Sequence, residues 1–316
     1  MKREQRERMN IAFATDDNYV MPTAVAMASL FENNPFDIDI YLLSIDGHLS
    51  SKNKGLLREC VDSYGQNIRF ADLSLELFDG LPILRHGLST YLRLFAPVLF
   101  PEIDKMLYLD ADIVVDGSIV ELYNTDIEEF QFAGSADQAS LNKSYLHEIG
   151  FEYKRPYVNA GVLLMNLKAL RGFEIKDLMC SYVDKYHDFM QLGDQDIINC
   201  IFPDIRIIHP KYNALPLFWI INSSKRGMIW GVEEIKETGF SPVIIHYITP
   251  KKPWKLGNAH VHRDRWFFYL AKTPFKGYRP KVTVGSIPTV IKGFVRRCIK
   301  KIIKRRVLNR YRQNKV

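Results

Sequence analysis

An α/β fold, with a largely parallel sheet covered by helices, is what this sequence predicts. Three observations predict it. Short apolar runs of strand character alternate with helix-period segments over most of the 316 residues. Three strands joined by two helices fall between residues 10 and 72, and crossovers of that kind join parallel strands. Hydrophobic residues make up 47% of the chain, enough for a large core and too much for disorder.

The first strand is expected at Asn10–Thr15 (NIAFAT). Pro22 suits the first turn of the apolar helix that follows, which runs to Phe31 and stops at Asn33-Asn34-Pro35. Asp37–Ser44 (DIDIYLLS) is the second strand. Ser50 can cap a helix to Tyr64, with Gly65 just past its end. Asn67–Asp72 (NIRFAD) is the third strand, and right-handed crossovers are expected throughout. Beyond it the pattern is less regular. Lys105–Leu109 (KMLYL), Phe130–Ser135, Gly161–Asn166 (GVLLMN) and Pro242–His246 (PVIIH) have strand character, and Glu174–Tyr186 and Gln195–Phe202 have helical character. No internal repeat is visible. The organisation expected is one mixed α/β domain over residues 9–255 and an extension over residues 256–316.

Charge divides the chain at about the same place. From Arg265 to Val316 there are 16 Lys or Arg and no Asp or Glu, whereas residues 1–264 carry 27 basic and 36 acidic side chains. A mildly acidic globule with a basic tail points to a polyanionic partner for the tail. Cys60, Cys180, Cys200 and Cys298 form no CxxC pair and no zinc spacing, so free thiols in a reducing compartment are expected. Met1–Met9 is charged and no apolar run follows it, and no stretch of about 18 apolar residues occurs, so a cytoplasmic protein is expected.

Ligands of open α/β sheets bind beyond the carboxyl ends of strands. Here the first strand ends in Thr15-Asp16-Asp17-Asn18-Tyr19, KMLYL ends in Asp110-Ala111-Asp112, and PVIIH ends in His246. Asp110 and Asp112 are two apart, so an extended chain puts both carboxylates on one face. They repel unless a cation lies between them. Oxygen ligands suit Mg²⁺ or Mn²⁺, and an imidazole from His246 tilts the choice to Mn²⁺. The plainer alternative is a solvated acidic turn. In HYITPKKPW, His246 and Lys252 can both reach a diphosphate, the alternative being a strand-end His and a surface Lys. Asn159-Ala160-Gly161 and Gly193-Asp194-Gln195-Asp196 offer hydrogen bonds suited to sugar hydroxyls, the alternatives being a turn and a helix cap.

Taken in order, NIAFATDDNY, STYLRLFAPVLFP, DKMLYLDADIVV, YVNAGVLLMNL, GDQDIIN and HYITPKKPW resemble the glycosyltransferase family 8 pattern, from about Asn10 to Trp254. The resemblance implies a GT-A fold, a Rossmann-like mixed sheet flanked by helices. It implies retaining transfer of a hexose, galactose or glucose, from a UDP-sugar to a glycan or lipid-linked saccharide, in lipopolysaccharide or other surface polysaccharide synthesis. By the same resemblance Ala14, Asp16, Asn18 and Tyr19 hold the uridine, and Asp110, Asp112 and His246 ligate Mn²⁺, with Mg²⁺ as the substitute. Lys252 contacts the diphosphate. Arg93, Asp110, Ala111, Asn159, Ala160, Asp194 and Gln195 surround the donor hexose. Gln195 and Asp194 are the catalytic candidates. An amide is a poor nucleophile, which favours attack on the face that UDP leaves, with Asp194 as the alternative nucleophile in a double displacement. One departure is Thr249, where many relatives carry Gly. Two other readings are open: another metal-dependent nucleotide-sugar enzyme such as a nucleotidyltransferase, and an inactive membrane-anchored sugar-binding module.

In the tail, Ile287, Val290, Ile291, Phe294, Val295, Cys298, Ile299, Ile302 and Ile303 recur at intervals of three and one, which is one face of a helix. Lys292, Arg296, Arg297, Lys300, Lys301, Lys304, Arg305 and Arg306 fill the other positions. This pattern suits a helix lying in an anionic membrane interface over residues 287–316. The expected location is the inner face of the plasma membrane. Packing of the apolar face on the globule is the alternative. Nucleic acid is the weaker partner, since no RNA-binding module is visible.

Overall fold

The computed structural model describes residues 8–83, 87–202, 204–219 and 224–313, with side chains except at 224–225 and 303–313. The charged start, residues 1–7, and the tail side chains of Ile303, Lys304, Arg305 and Arg306 lie outside the described residues.

Nine strands are described: β1 (Met9–Ala14), β2 (Ile38–Ile45), β3 (Asn67–Leu73), β4 (Lys105–Leu109), β5 (Ile113–Val115), β6 (Phe132–Ala136), β7 (Val158–Asn166), β8 (Ile205–Ile207) and β9 (Ile244–His246). Seven form one sheet in the order β3-β2-β1-β4-β7-β6-β8, and β5 and β9 form a separate ribbon. β7 alone runs antiparallel to its sheet neighbours β4 and β6. The main helices are α1 (Val20–Asn33), α2 (Ser51–Asp62), α3 (Ile175–Tyr186), α4 (Asp194–Ile201), α5 (Val232–Phe240), α6 (Arg263–Leu270) and α7 (Ile287–Gln313).

The expected βα units form as read. β1, β2 and β3 pair in parallel, and the Ser50 hydroxyl accepts from Asn53 N at 3.4 Å to cap α2. α1 is apolar on nearly every side because it is covered on nearly every side, by the sheet, α2, β5 and α6. Its small residues Ala24, Ala26 and Ala28 let these neighbours approach closely. The buried Asn34 at its end donates to Leu30 O at 3.0 Å and accepts from Ile119 N at 2.8 Å, tying α1 to the chain after β5.

Three local differences from the sequence reading matter for the site. β7 starts at Val158, three residues earlier than expected, so Asn159 and Ala160 belong to a strand and not to a turn. The reason is position: β4 pairs with β7 only from Val162 on, whereas β6 extends the ladder back to Val158 through Ala136. α4 starts at Asp194, with Gly193 as its cap at φ 62°, a left-handed value that favours glycine. β5 and β8 have three residues each, too few for a period to register.

All four cysteines are free. Among the described residues no helix is long and apolar enough to cross a membrane. The first part of the extension is built into the core. Trp266 and Tyr269 of α6 are buried, and the Trp266 ring lies 5.2 Å from that of Trp254. Tyr269 Oη donates to Asp116 Oδ1 at 2.7 Å and accepts from Asn33 Nδ2 at 2.8 Å. Trp266→Ala is therefore expected to cost about 3–5 kcal/mol in urea unfolding, whereas truncation after residue 286 should leave the midpoint nearly unchanged. A Trp266→Ala loss below about 1 kcal/mol would mean that α6 is not part of the core.

Candidate active site

The sheet order reverses between β1 and β4, which run parallel, one leading outward to β2 and the other toward β7. Such a switch point opens a crevice at the carboxyl ends of the strands. Ala14 and Thr15 close β1 there, and Asp110 follows β4. Because β7 is antiparallel, its first residues, Asn159 and Ala160, arrive at the same end. Asp137, just after β6, arrives there too. These residues line a cavity of about 540 Å³.

The two aspartates follow β4, and the chain then turns into β5. β5 pairs with β9 so that Ile113 faces His246, and Tyr247 N donates to Asp112 O at 3.0 Å. This ribbon carries His246 to the aspartates. Its Nε2 lies 3.2 Å from Asp112 Oδ1 and 3.6 Å from Asp110 Oδ2. Ligand atoms from Asp110, Asp112 and His246 all fall within 4.8 Å of one another. Gly161 forms the floor, and its amide carbonyl accepts from Asp110 N at 2.8 Å. A Cβ on Gly161 would stand 2.2 Å from His246 Cε1 and 2.6 Å from Asp110 Oδ2. Two carboxylates and an imidazole, converging over a residue that keeps the space open, fit a hard divalent cation.

His246 is oriented from behind. Its Nδ1 lies 2.9 Å from Asn213 Oδ1, which turns Nε2 toward the carboxylates. Asn213 Nδ2 donates to Asn159 Oδ1 at 2.8 Å, so the histidine and the β7 residues share one network. Lys252 contacts the other carboxylate oxygen of Asp112 and donates to Tyr247 O at 2.9 Å. Burial opposes ionisation of Asp112, but His246 and Lys252 outweigh it and hold the carboxyl well below the usual range.

On the opposite wall, buried Arg93 stacks 4.1 Å over the Tyr108 ring and contacts Ala160 O. Its Nε lies 2.9 Å from Asp194 Oδ2, and an Nη lies 3.2 Å from Asp110 Oδ1. Burial works against the Arg93 charge, yet Asp194 and Asp110 raise its pKa. Burial pushes the Asp194 carboxyl up to about 7, against the pull of Arg93. Gln195 Oε1 accepts from Ala160 N at 2.9 Å and from Asn159 Nδ2 at 3.1 Å. A backbone N–H can only donate, so the oxygen is the end turned to β7. The polar atom Gln195 offers to the cavity is therefore its Nε2.

Of the residues singled out from sequence, Ala14, Asp16, Tyr19, Arg93, Asp110, Ala111, Asp112, Asn159, Ala160, Asp194, Gln195, His246 and Lys252 line this one cavity. Asn18 does not; its side chain lies against Asp16 at 3.4 Å. Tyr19 is 38% exposed and meets Trp254 edge-on at 6.0 Å. Thr249 is also off the lining, although Ile248 and Pro250 are on it. Sequence reasoning missed Asp137 and Asn213. Asp137 was within reach, since the strand-end rule applied to the Phe130–Ser135 run leads to it. Asn213 lies in a short turn (Pro210–Asn213) with no periodic signal, placed by a bridge from Ala214 to Ile245 of β9.

A mixed sheet with two carboxylates and an imidazole at its switch point, facing a polar cavity, defines a glycosyltransferase of GT-A fold. The chain belongs to glycosyl transferase family 8, whose profile matches residues 10–256. The crystal structure of the galactosyltransferase LgtC, in complex with donor and acceptor sugar analogs, superposes with a TM-score of 0.76 at 29% identity, covering 89% of this chain and all of that one. General stress protein A of Bacillus subtilis is 27% identical over 84% of this chain and 94% of its own length. A lipopolysaccharide 1,2-glucosyltransferase of Escherichia coli is 28% identical over 80% of this chain and 75% of its own length.

Two substitutions test whether Asp110, Asp112 and His246 bind a divalent cation. Asn213→Ala, which frees the His246 ring, should weaken Mn²⁺ binding in calorimetry by about 10- to 100-fold. Gly161→Ala should weaken it at least as much, because the new Cβ must displace His246 or Asp110. Wild-type affinity in both variants would take His246 out of the ligand set.

Proposed function

We propose that the protein transfers galactose or glucose from a UDP-sugar, with retention, to a glycan or lipid-linked acceptor in lipopolysaccharide or other surface polysaccharide synthesis. The observation that carries this reading is that an Asp-Asp-His cluster able to hold a cation and a polar wall, Arg93, Asn159, Asp194 and Gln195, share one cavity. The galactosyltransferase and glucosyltransferase relatives support a hexose. Residues 9–255 form the catalytic domain in this reading, and residues 256–316 the extension.

Asp110, Asp112 and His246 would hold the ion, Mn²⁺ with Mg²⁺ as substitute, which would supply charge neutralisation at the departing diphosphate. Lys252 adds a second cation at the same place, and Ala14, Asp16 and Tyr19 surround the uridine, with Asn18 behind Asp16 and off the lining. Arg93, Ala111, Asn159, Ala160 and Asp194 border the hexose. The bond from the anomeric carbon to the phosphate oxygen breaks, and a bond to the acceptor oxygen forms on the same face. The acceptor proton passes to the phosphate oxygen that leaves. Gln195 supports this course over a double displacement. Its carbonyl oxygen already accepts two hydrogen bonds, so it offers the sugar an N–H and not a nucleophilic lone pair. Asp194 is held by Arg93 2.9 Å away, which blunts it as a nucleophile.

The nucleotidyltransferase and inactive-module readings lose their footing, the first to the family match and the second to the intact Asp110, Asp112 and His246 cluster. For the tail, we propose peripheral attachment to an anionic membrane. α7 meets the globule through its small and basic side: Gly293 is buried against Gly257, and Lys301 contacts Asp264. Ile287, Ile291, Phe294, Val295, Ile299 and Ile302 are each at least 44% exposed. The apolar row thus faces away from the globule, the arrangement an interfacial helix requires.

The purified protein should release UDP from one UDP-hexose only and lose that activity in EDTA. Calorimetry with UDP and Mn²⁺ backs the assay, and absence of both turnover and UDP binding would refute the donor class. Deleting residues 287–316 should leave donor turnover intact and release the protein from phosphatidylserine vesicles at moderate salt. Undiminished vesicle binding after the deletion would locate the membrane contact elsewhere.

A further inference from the structure

Two polar residues of the GDQDIIN segment, Asp196 and Asn199, are buried outside the cavity and have no part in the chemistry above. Both brace α4. Asp196 accepts from Tyr145 Oη at 2.6 Å, Tyr157 Oη at 2.5 Å, and the backbone N–H groups of Gln191 at 3.2 Å and Leu192 at 2.9 Å. It pins the loop before the helix. Arg155 Nη2 donates to Phe202 O at 2.7 Å and Asn199 O at 3.1 Å, holding the other end.

Asn199 stands one helical turn after Gln195 and makes every hydrogen bond its amide allows. Its Oδ1 accepts from Val158 N at 2.8 Å and Arg155 Nη1 at 2.9 Å. Its Nδ2 donates to Val158 O at 2.9 Å and Gln195 O at 2.8 Å. Gln195 is therefore tied to β7 at two points. Its backbone carbonyl reaches Val158 through the Asn199 amide, and its side-chain carbonyl reaches Asn159 and Ala160 directly. Three consecutive residues of β7 and the first turn of α4 form one closed hydrogen-bond ring.

We infer that Asn199 is a positioning residue for the transfer reaction, acting through Gln195. It sets the depth of the first turn of α4 against β7 and so the place of the Gln195 amide in the cavity. The side chain never reaches the cavity, so its contribution falls on the reaction step and not on donor affinity. This rests on Gln195 facing the reacting sugar, as proposed above.

The test is a double-mutant cycle of Asn199→Asp and Gln195→Ala, read as kcat and donor KM with donor binding by calorimetry. Asn199→Asp keeps the shape but turns an acceptor toward Val158 O and Gln195 O. With Gln195 present, it should lower kcat on the order of 10- to 100-fold, since small misplacements at a reacting centre cost that much. Donor KM should move by less than roughly threefold. With Gln195 already replaced, adding Asn199→Asp should lower kcat by less than about twofold. Equal losses in both backgrounds would show a general structural role and overturn the inference while leaving the site reading intact. Wild-type kcat in Gln195→Ala would remove Gln195 from the reacting centre, and the inference with it. Asn199→Ser, smaller and uncharged, runs the same cycle if the aspartate variant does not fold.

Discussion

The site depends on a three-residue ribbon. β5 and β9 contribute only Ile113–Val115 and Ile244–His246, yet their register places a histidine against carboxylates more than 130 positions earlier. The ribbon lies outside the main sheet, held by α1 on one side and by the turn at Asn213 and Ala214 on the other. Everything that packs on α1, including Trp266 and Tyr269 of the extension, therefore bears on the geometry of the cation cluster. A loosened α6 reaches the site by this route without touching it.

Charge balance is the second constraint. Asp110, Asp112 and Asp194 converge at the cavity with their side chains largely buried, where unpaired carboxylates would be costly. Arg93 stands between Asp110 and Asp194, and Lys252 and His246 stand over Asp112. The outcome differs between the carboxylates although all belong to one network. Contacts with His246 and Lys252 keep Asp112 ionised, whereas burial dominates at Asp194. In the proposed reading the balance suits a cavity that takes a diphosphate at one end and a neutral sugar at the other.

The tail obeys a different logic. A helix that packs on a globule normally buries its apolar row. α7 instead uses Gly293 for a close approach to Gly257 and turns six large apolar side chains outward. Such a patch is stable in water only at a cost and is the kind of surface that marks an interaction site.

Much of this was legible in the chain itself. Near-continuous apolar runs marked β1 and β4, which are buried, whereas alternation of apolar and polar residues marked β3, the half-exposed edge strand, and the start of β2. The strand-end rule then pointed to Asp16, Asp110 and His246, and the ordered motifs placed Asn159, Asp194 and Gln195 with them. What local pattern could not carry was anything set by a partner distant in sequence. β5 and β8 are strands because of the neighbours they pair with. Asn159 sits in a strand because β6 pairs beside it, Ala136 with Val158. Asn213 and Asn199 are legible only once the turn and helix that carry them are packed. Residue types at strand ends determined the class of chemistry. Tertiary pairing alone decided which oxygen faces the cavity and which is spent on the scaffold, because a hydrogen bond between positions 35 to 134 apart leaves no trace in local periodicity.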